Sequence, residues 1–269
     1  MSRSLIVLPD DSAEPLLKLI REAKQSLRIK MFALSDPEIL RTLIRAHGRG
    51  VKIRVMLNPA RRSGEIQNSG SRQVLRDAGI DVLDGNPVFE VTHEKSMVCD
   101  DTTAVIGSAN WEPDSFEETR DFAVVTRDAA EVREIIECFE ADWSRRPFEP
   151  PKSSNLIWSP GLSRVRIGEF IDSAKHSLYV QNERYQDAVI VEHLVRAKLR
   201  GVKVHVDGAA LAFAARREAG GGRGRPADPE GRGHRHPQDP RASSAREDVA
   251  GRPVARDCRI DQPGAGQFR

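Results

Sequence analysis

The chain has 269 residues, 39% of them apolar, with 42 basic against 40 acidic side chains and a formal net charge of +2. That length is enough for one large or two ordinary domains with real cores, and so even a charge balance singles out no strongly charged partner. No segment approaches the roughly 20 consecutive apolar residues that a membrane-crossing helix needs. A soluble, cytoplasmic protein is therefore expected, with peripheral attachment at a membrane left open. Cys99, Cys138 and Cys258 are odd in number and far apart, which argues against a disulfide framework or a zinc site and for a reducing compartment.

From the N-terminus, "AEPLLKLIREAKQSLRIKMF" and then "DPEILRTLIRAHGRGVKIRVML" each pass from apolar residues at helical spacing to apolar residues in alternation. The pattern predicts helix, strand, helix, strand, a βαβ arrangement. "THEKSMVCDDTTAVIGSAN", residues 92–110, reads as two strands joined by a turn at Asp100 and Asp101. Residues 111–126 run through a polar loop into the strand "FAVV". "DAAEVREIIECFEADWSRRPF" is then a helix with Ile135, Ile136, Phe139 and Trp143 on its buried side. A first unit, residues 1–150, closes in the proline-rich stretch that follows.

The next segment, 151–206, repeats the beginning. "SAKHSLYV" answers "EAKQSLRI", and "VEHLVRAKLRGVKVHV" answers "LRTLIRAHGRGVKIRV", at a constant offset of 151 residues without gaps. Such a repeat implies two similar α/β units. From Asp207 the composition changes: residues 207–269 are mainly Arg, Ala, Gly and Pro and contain no lysine. A segment of that composition cannot bury a core and is expected to be disordered.

Within the paired strands, alternation puts His93 and Lys95 on one face, and the returning strand brings Ser108 and Asn110 near them. Imidazole, ammonium, hydroxyl and amide together suit a phosphodiester. Lys95 and Asn110 can hold nonbridging oxygens while a neutral imidazole attacks phosphorus, and Gly107 lets the backbone approach the phosphate. No cluster of carboxylates, histidines or cysteines suggests a metal site, so chemistry without metal or cofactor is expected.

These residues resemble the signature of the phospholipase D superfamily, in its cardiolipin synthase-like bacterial form: His-x-Lys, four residues, Asp, six residues, Gly-Ser-x-Asn. His93, Lys95, Asp100, Gly107, Ser108 and Asn110 match it at every spacing. The resemblance covers residues 1 to about 206. It implies a phospholipase D-like α/β fold: one complete repeat, the start of a second, and the tail. It also implies one site at the interface of two motif-bearing repeats, with one histidine attacking phosphorus and the other protonating the leaving alcohol. By the same resemblance His93 is the nucleophile, Lys95 and Asn110 grip the phosphate, and Ser108 supports that grip. Asp121 orients the histidine, with Glu118 in reserve, and Asp100 caps the turn it shares with Asp101. Trp111 and Phe116 read as packing residues, and His176, His193 and His205 as surface or core residues without lysine partners.

The same offset places a second histidine near Ser244, where "RASSAREDVAGRPVARDCRIDQPGAG" holds neither His nor Lys. A reading frame one base later permits His-x-Lys across Ala245 to Gly251 and Gly-Ser-x-Asn across Cys258 to Pro263, at the intervals of the first copy. Residues 207–269 are thus expected to be an out-of-frame tail. The function expected is hydrolysis or phosphatidyl transfer on a phospholipid or other phosphodiester. The alternatives are a nuclease that completes its site by homodimerisation, an inactive truncated product, and a nucleic-acid binder using the basic tail.

Overall fold

The computed structural model describes residues 3–208. Of the tail expected over 207–269, Asp207 instead ends a strand, and the residues from 209 onward, with the second motif read into the shifted frame, lie outside the described residues.

Nine strands and seven helices are described: β1 (Arg3–Val7), α1 (Glu14–Glu22), β2 (Ser26–Met31), α2 (Pro37–Gly48), β3 (Lys52–Leu57), α3 (Ser69–Asp77), β4 (Asp81–Asp84), β5 (Lys95–Cys99), β6 (Thr103–Gly107), α4 (Pro113–Glu117), β7 (Phe122–Thr126), α5 (Ala129–Trp143), α6 (Ser163–Ser173), β8 (Ser177–Gln181), α7 (Ala188–Leu199) and β9 (Lys203–Asp207). The first seven strands form one mixed sheet in the order β1-β7-β6-β5-β2-β3-β4. β2, β3 and β4 are parallel, as the βαβ pattern requires, and β5, β6 and β7 return antiparallel.

Strand alternation divides the sheet between two layers of helix. Leu27, Ile29 and Met31 of β2, Ile53, Val55 and Leu57 of β3 and Met97 of β5 share one core with Leu16, Leu17 and Ile20 of α1, Ile39 and Leu43 of α2 and Leu75 of α3. On the other face Val98 and Ala104 meet Val132 and Ile135 of α5. Ile135 and Phe139 are buried as the sequence predicts, and Ile136 and Trp143 are half-buried. That face is also unexpectedly ionic. Glu131 pairs with Arg3, Glu140 with Arg28 and Arg54, and Asp142 with Lys30. Trp111 and Phe116 are both core residues, 4% exposed.

The repeat is visible in backbone detail. Ser26 pairs with Lys52 across β2 and β3, and Ser177 with Lys203 across β8 and β9. Asp36 caps α2 and Asp187 caps α7 through their carboxylates. Each helix ends in an Arg-Gly-Val turn whose glycine needs positive φ, +94° at Gly50 and +91° at Gly201. Ahead of α6, Ser154 Oγ and Trp158 Nε1 donate to Glu134 Oε1 at 2.5 and 2.6 Å, so residues 154–158 lie on α5. Among the described residues β8 and β9 form a sheet of two strands, packed on α6 and α7 through Ile171, Leu178, Leu194 and Val202.

Candidate active site

His93 stands in the last turn of the β4–β5 connection, and Lys95 opens β5. His93 is exposed and Lys95 is 6% exposed. The lysine Nζ lies 3.2 Å from each ring nitrogen of His93 and donates to the His93 carbonyl oxygen at 2.9 Å. Phe32, just beyond β2, packs beneath both: its ring centroid is 4.5 Å from the imidazole and 5.0 Å from Lys95 Nζ. Desolvation among these neighbours, and then the Lys95 charge, hold the His93 pKa below the ordinary value of 6.5, against an opposing pull from Glu183. Desolvation also brings Lys95 down to about 8, while Asp121 and Glu112 favour its charge.

The connection is tightly built. Asn58, 1% exposed at the end of β3, accepts from Thr92 N at 3.0 Å and donates to Ala60 O. A side chain on Gly85 would meet Thr92 Oγ1 at 2.3 Å and Cβ at 2.9 Å, so any larger residue there would displace Thr92.

β6 delivers the other half. Ser108 Oγ donates to Asp121 Oδ1 at 2.6 Å and accepts from Phe122 N at 3.0 Å, which ties the turn to β7. Asn110 Nδ2 donates to Glu112 Oε2 at 3.0 Å, and its Oδ1 is buried without a hydrogen-bond partner. Trp111 N bonds to Ala33 O, and Trp111 O accepts from Ser35 N and Asp36 N. The Gly-Ser-x-Asn turn is thereby docked against the β2–α2 connection. Ser108 and Asn110 reach the lysine through acidic neighbours, since Asp121 and Glu112 are the two carboxylates whose charge acts on Lys95.

Three expectations change in detail. Asp121 bonds Ser108 and Thr119, at 2.6 and 2.5 Å, and makes no hydrogen bond to His93; the β6–β7 turn holds its carboxylate against the hydroxyls. Glu118 is exposed at the end of α4. Asp100 does not cap its own turn. Its carboxylate accepts from the backbone N–H groups of Lys24, Gln25 and Ser26 at 2.7–3.2 Å, pinning the start of β2, and these bonds keep its pKa low against desolvation. Gly107 serves packing as well: a side chain there would press on Ala123 Cβ at 3.1 Å in β7.

Two of the other described histidines have local partners. His193 Nδ1 is 2.9 Å from Asp172, and His205 stacks on Tyr179. Phe32, Glu94, Glu112 and Lys30 were not singled out in the sequence. Their signal was faint: two basic residues alternating in "RIKM" and an acid inside His-x-Lys. Among the described residues no group of three or more His, Cys, Asp or Glu side chains could hold a metal, and no helix is long and apolar enough to cross a membrane.

Comparison with known proteins agrees with the motif. Residues 16–143 match the family model described as cardiolipin synthase, PLD-like domain. The mitochondrial cardiolipin hydrolase of Homo sapiens is 32% identical over 157 residues, covering 56% of this chain; the chain spans 60% of that relative's length. Among solved structures, polyphosphate kinase from Porphyromonas gingivalis aligns over 77% of this chain and 38% of its own, with TM-score 0.60 and 18% identity. Phosphatidylserine synthase from Haemophilus influenzae Rd KW20 aligns over 77% and 61%, with TM-score 0.56 and 14% identity. Those two likenesses concern the fold alone. Motif and family match fall on the same stretch, and over residues 16–143 the chain is similar to the phospholipase D-like domain of cardiolipin synthase.

Proposed function

We propose that this chain carries the nucleophilic half of a phospholipase D-like phosphodiesterase acting on phospholipid headgroups. A ring nitrogen of His93 attacks phosphorus, the bond from phosphorus to the leaving oxygen breaks, and that oxygen departs with the electron pair. The product is a phosphohistidine, later released to water or an alcohol. Lys95 and Asn110 hold the nonbridging oxygens, Ser108 and Asp121 brace that grip, and Asp100 and Gly107 shape the strands beneath it. The observation that carries this reading is the ammonium of Lys95 held 3.2 Å from an exposed imidazole. Desolvation and then the lysine's charge favour the neutral, nucleophilic form of His93, and the ammonium stands where a phosphate would bind. The name of the human relative, a cardiolipin hydrolase, supports a lipid phosphodiester as substrate.

Departure of an alkoxide needs a proton donor. His-x-Lys occurs once in the sequence, so the donor belongs to a second motif. We take residues 207–269 as the out-of-frame remnant of the segment that would supply it, after a first unit over 1–150 and the opening of a second over 151–206.

The test is hydrolysis of bis-p-nitrophenyl phosphate in chelator, with the His93→Ala variant alongside. Release of p-nitrophenolate that His93→Ala abolishes is expected. Release that requires a divalent metal, or that survives the substitution, overturns the mechanism. The p-nitrophenyl esters of a phosphatidic acid and of thymidine monophosphate, run in parallel, share the activated leaving group and separate the lipid reading from a nuclease.

A further inference from the structure

Lys30 is 2% exposed in β2, on the face turned toward α5. Its Nζ lies 2.7 Å from Asp142 Oδ2 near the end of α5 and 2.9 Å from Glu94 Oε2. Burial opposes its charge, yet Glu94 and Asp142 hold its pKa above the ordinary lysine value. Each carboxylate also makes a second bond. Asp142 Oδ1 accepts from Asn86 Nδ2 at 3.1 Å, and Glu94 Oε1 accepts from Ser96 Oγ at 2.6 Å. Asn86 lies at the start of the β4–β5 connection and Glu94 at its end. One buried ammonium group therefore ties both ends of the segment that carries His93. Arg145 reinforces the first end, donating to Asp84 O at 2.7 Å and Asp142 O at 3.3 Å.

Stability alone is a poor reason for such a group, because an apolar residue of similar volume often serves a core as well as a buried ion pair. Position is a better one. Glu94 stands between His93 and Lys95, and alternation sends it to the opposite side of the strand from both. Anchoring Glu94 against α5 fixes the side from which His93 and Lys95 emerge. In the repeat the residue corresponding to Lys30 is Gln181, whose amide donates instead to Arg120 O at 3.1 Å. The ionic anchor thus belongs to the motif-bearing unit.

We infer that Lys30 is a positioning residue for the proposed phosphate centre: through Glu94 and Asp142 it clamps the His93-bearing connection at both ends and sets the face on which His93 and Lys95 are presented. The inference deepens the proposed function, and its test uses no substrate.

The experiment is hydrogen exchange by mass spectrometry on the full chain, together with NMR titration of the His93 imidazole. The double variant Lys30→Met/Asp142→Asn keeps the volume and the bond to Asn86 while removing the buried charges, and Glu94 can turn to solvent. Amides of residues 86–94 are expected to exchange about tenfold faster, as in a local opening, with β3 and β6 little changed. His93 is expected to titrate nearer 6.5 as it leaves Phe32 and Lys95. Glu94→Gln, which retains hydrogen bonds to Lys30 and Ser96, should stay close to the parent protein. A folded double variant with unchanged exchange and unchanged titration overturns the inference. So does faster exchange spread evenly over the sheet, which would make Lys30 a general brace. If the double variant does not fold, Glu94→Ala is read by the same two measurements, and an unchanged loop there overturns the inference. A localised effect in a protein without phosphodiesterase activity leaves the clamp standing and removes the functional reading.

Discussion

Lys95 Nζ sits 3.2 Å from both ring nitrogens of His93; burial and then the lysine's charge hold His93 below 6.5, and burial brings Lys95 down to about 8 against the pull of Asp121 and Glu112. The imidazole attacks only when neutral and the lysine grips phosphate only when charged. The rate of p-nitrophenolate release should therefore rise with pH through the depressed His93 pKa, level off, and fall as Lys95 deprotonates near 8. Lys95→Met should reduce the rate by roughly 10²–10³, as loss of one preorganised charge does elsewhere, and should abolish the alkaline fall. Stopped-flow rates across pH check both expectations, and a flat profile contradicts them.

A site with one histidine should be sensitive to the leaving group. p-Nitrophenolate departs without protonation, whereas an alkoxide does not. The chain is expected to react with bis-p-nitrophenyl phosphate in a burst approaching one equivalent, and to leave dialkyl phosphodiesters almost untouched over the same time. Comparable rates on both substrates would mean that a proton donor is already present.

Asp100 has a structural test. Its carboxylate accepts three backbone N–H groups at the start of β2, much as a helix cap does. Asp100→Ala should cost about 1–2 kcal/mol in denaturant unfolding. Because the folded pKa lies below the ordinary 3.8, this stabilisation is present above the unfolded value and is lost as pH falls through the folded one. The gap between variant and parent should narrow only in that acid window. An equal gap at neutral and strongly acid pH contradicts this.

The tail can be checked in the gene. Translation one base later from codon 207 is expected to give His-x-Lys and Gly-Ser-x-Asn opposite Ala245–Gly251 and Cys258–Pro263. If neither appears, the out-of-frame reading of residues 207–269 is wrong.

Much of the architecture was legible because it rests on local periodicity. The βαβ units, the β5–β6 hairpin and the helical face of α5 follow from spacing, and the repeat from residues that coincide at a fixed offset. The spacing of His93, Lys95, Ser108 and Asn110 likewise picked out the candidate site. What escaped depends on contacts between distant segments. Arg28 and Lys30 alternate with apolar residues in a pattern that predicts a strand but not what covers its polar side, and α5 covers them and turns Glu140 and Asp142 inward to meet them. Asp121 was expected at the histidine because it follows the Gly-Ser-x-Asn turn, but the nearer hydroxyls of Ser108 and Thr119 take its hydrogen bonds. Sequence distance alone does not rank such competitors.

The most direct measurement is to quench the reaction with bis-p-nitrophenyl phosphate in chelator during the burst and map the adduct by mass spectrometry under conditions that preserve phosphohistidine. A p-nitrophenyl phosphoryl group on the peptide containing His93, absent from His93→Ala, is the expected result. Release of p-nitrophenolate with no adduct on His93, or with the adduct on another residue, contradicts histidine attack at this site.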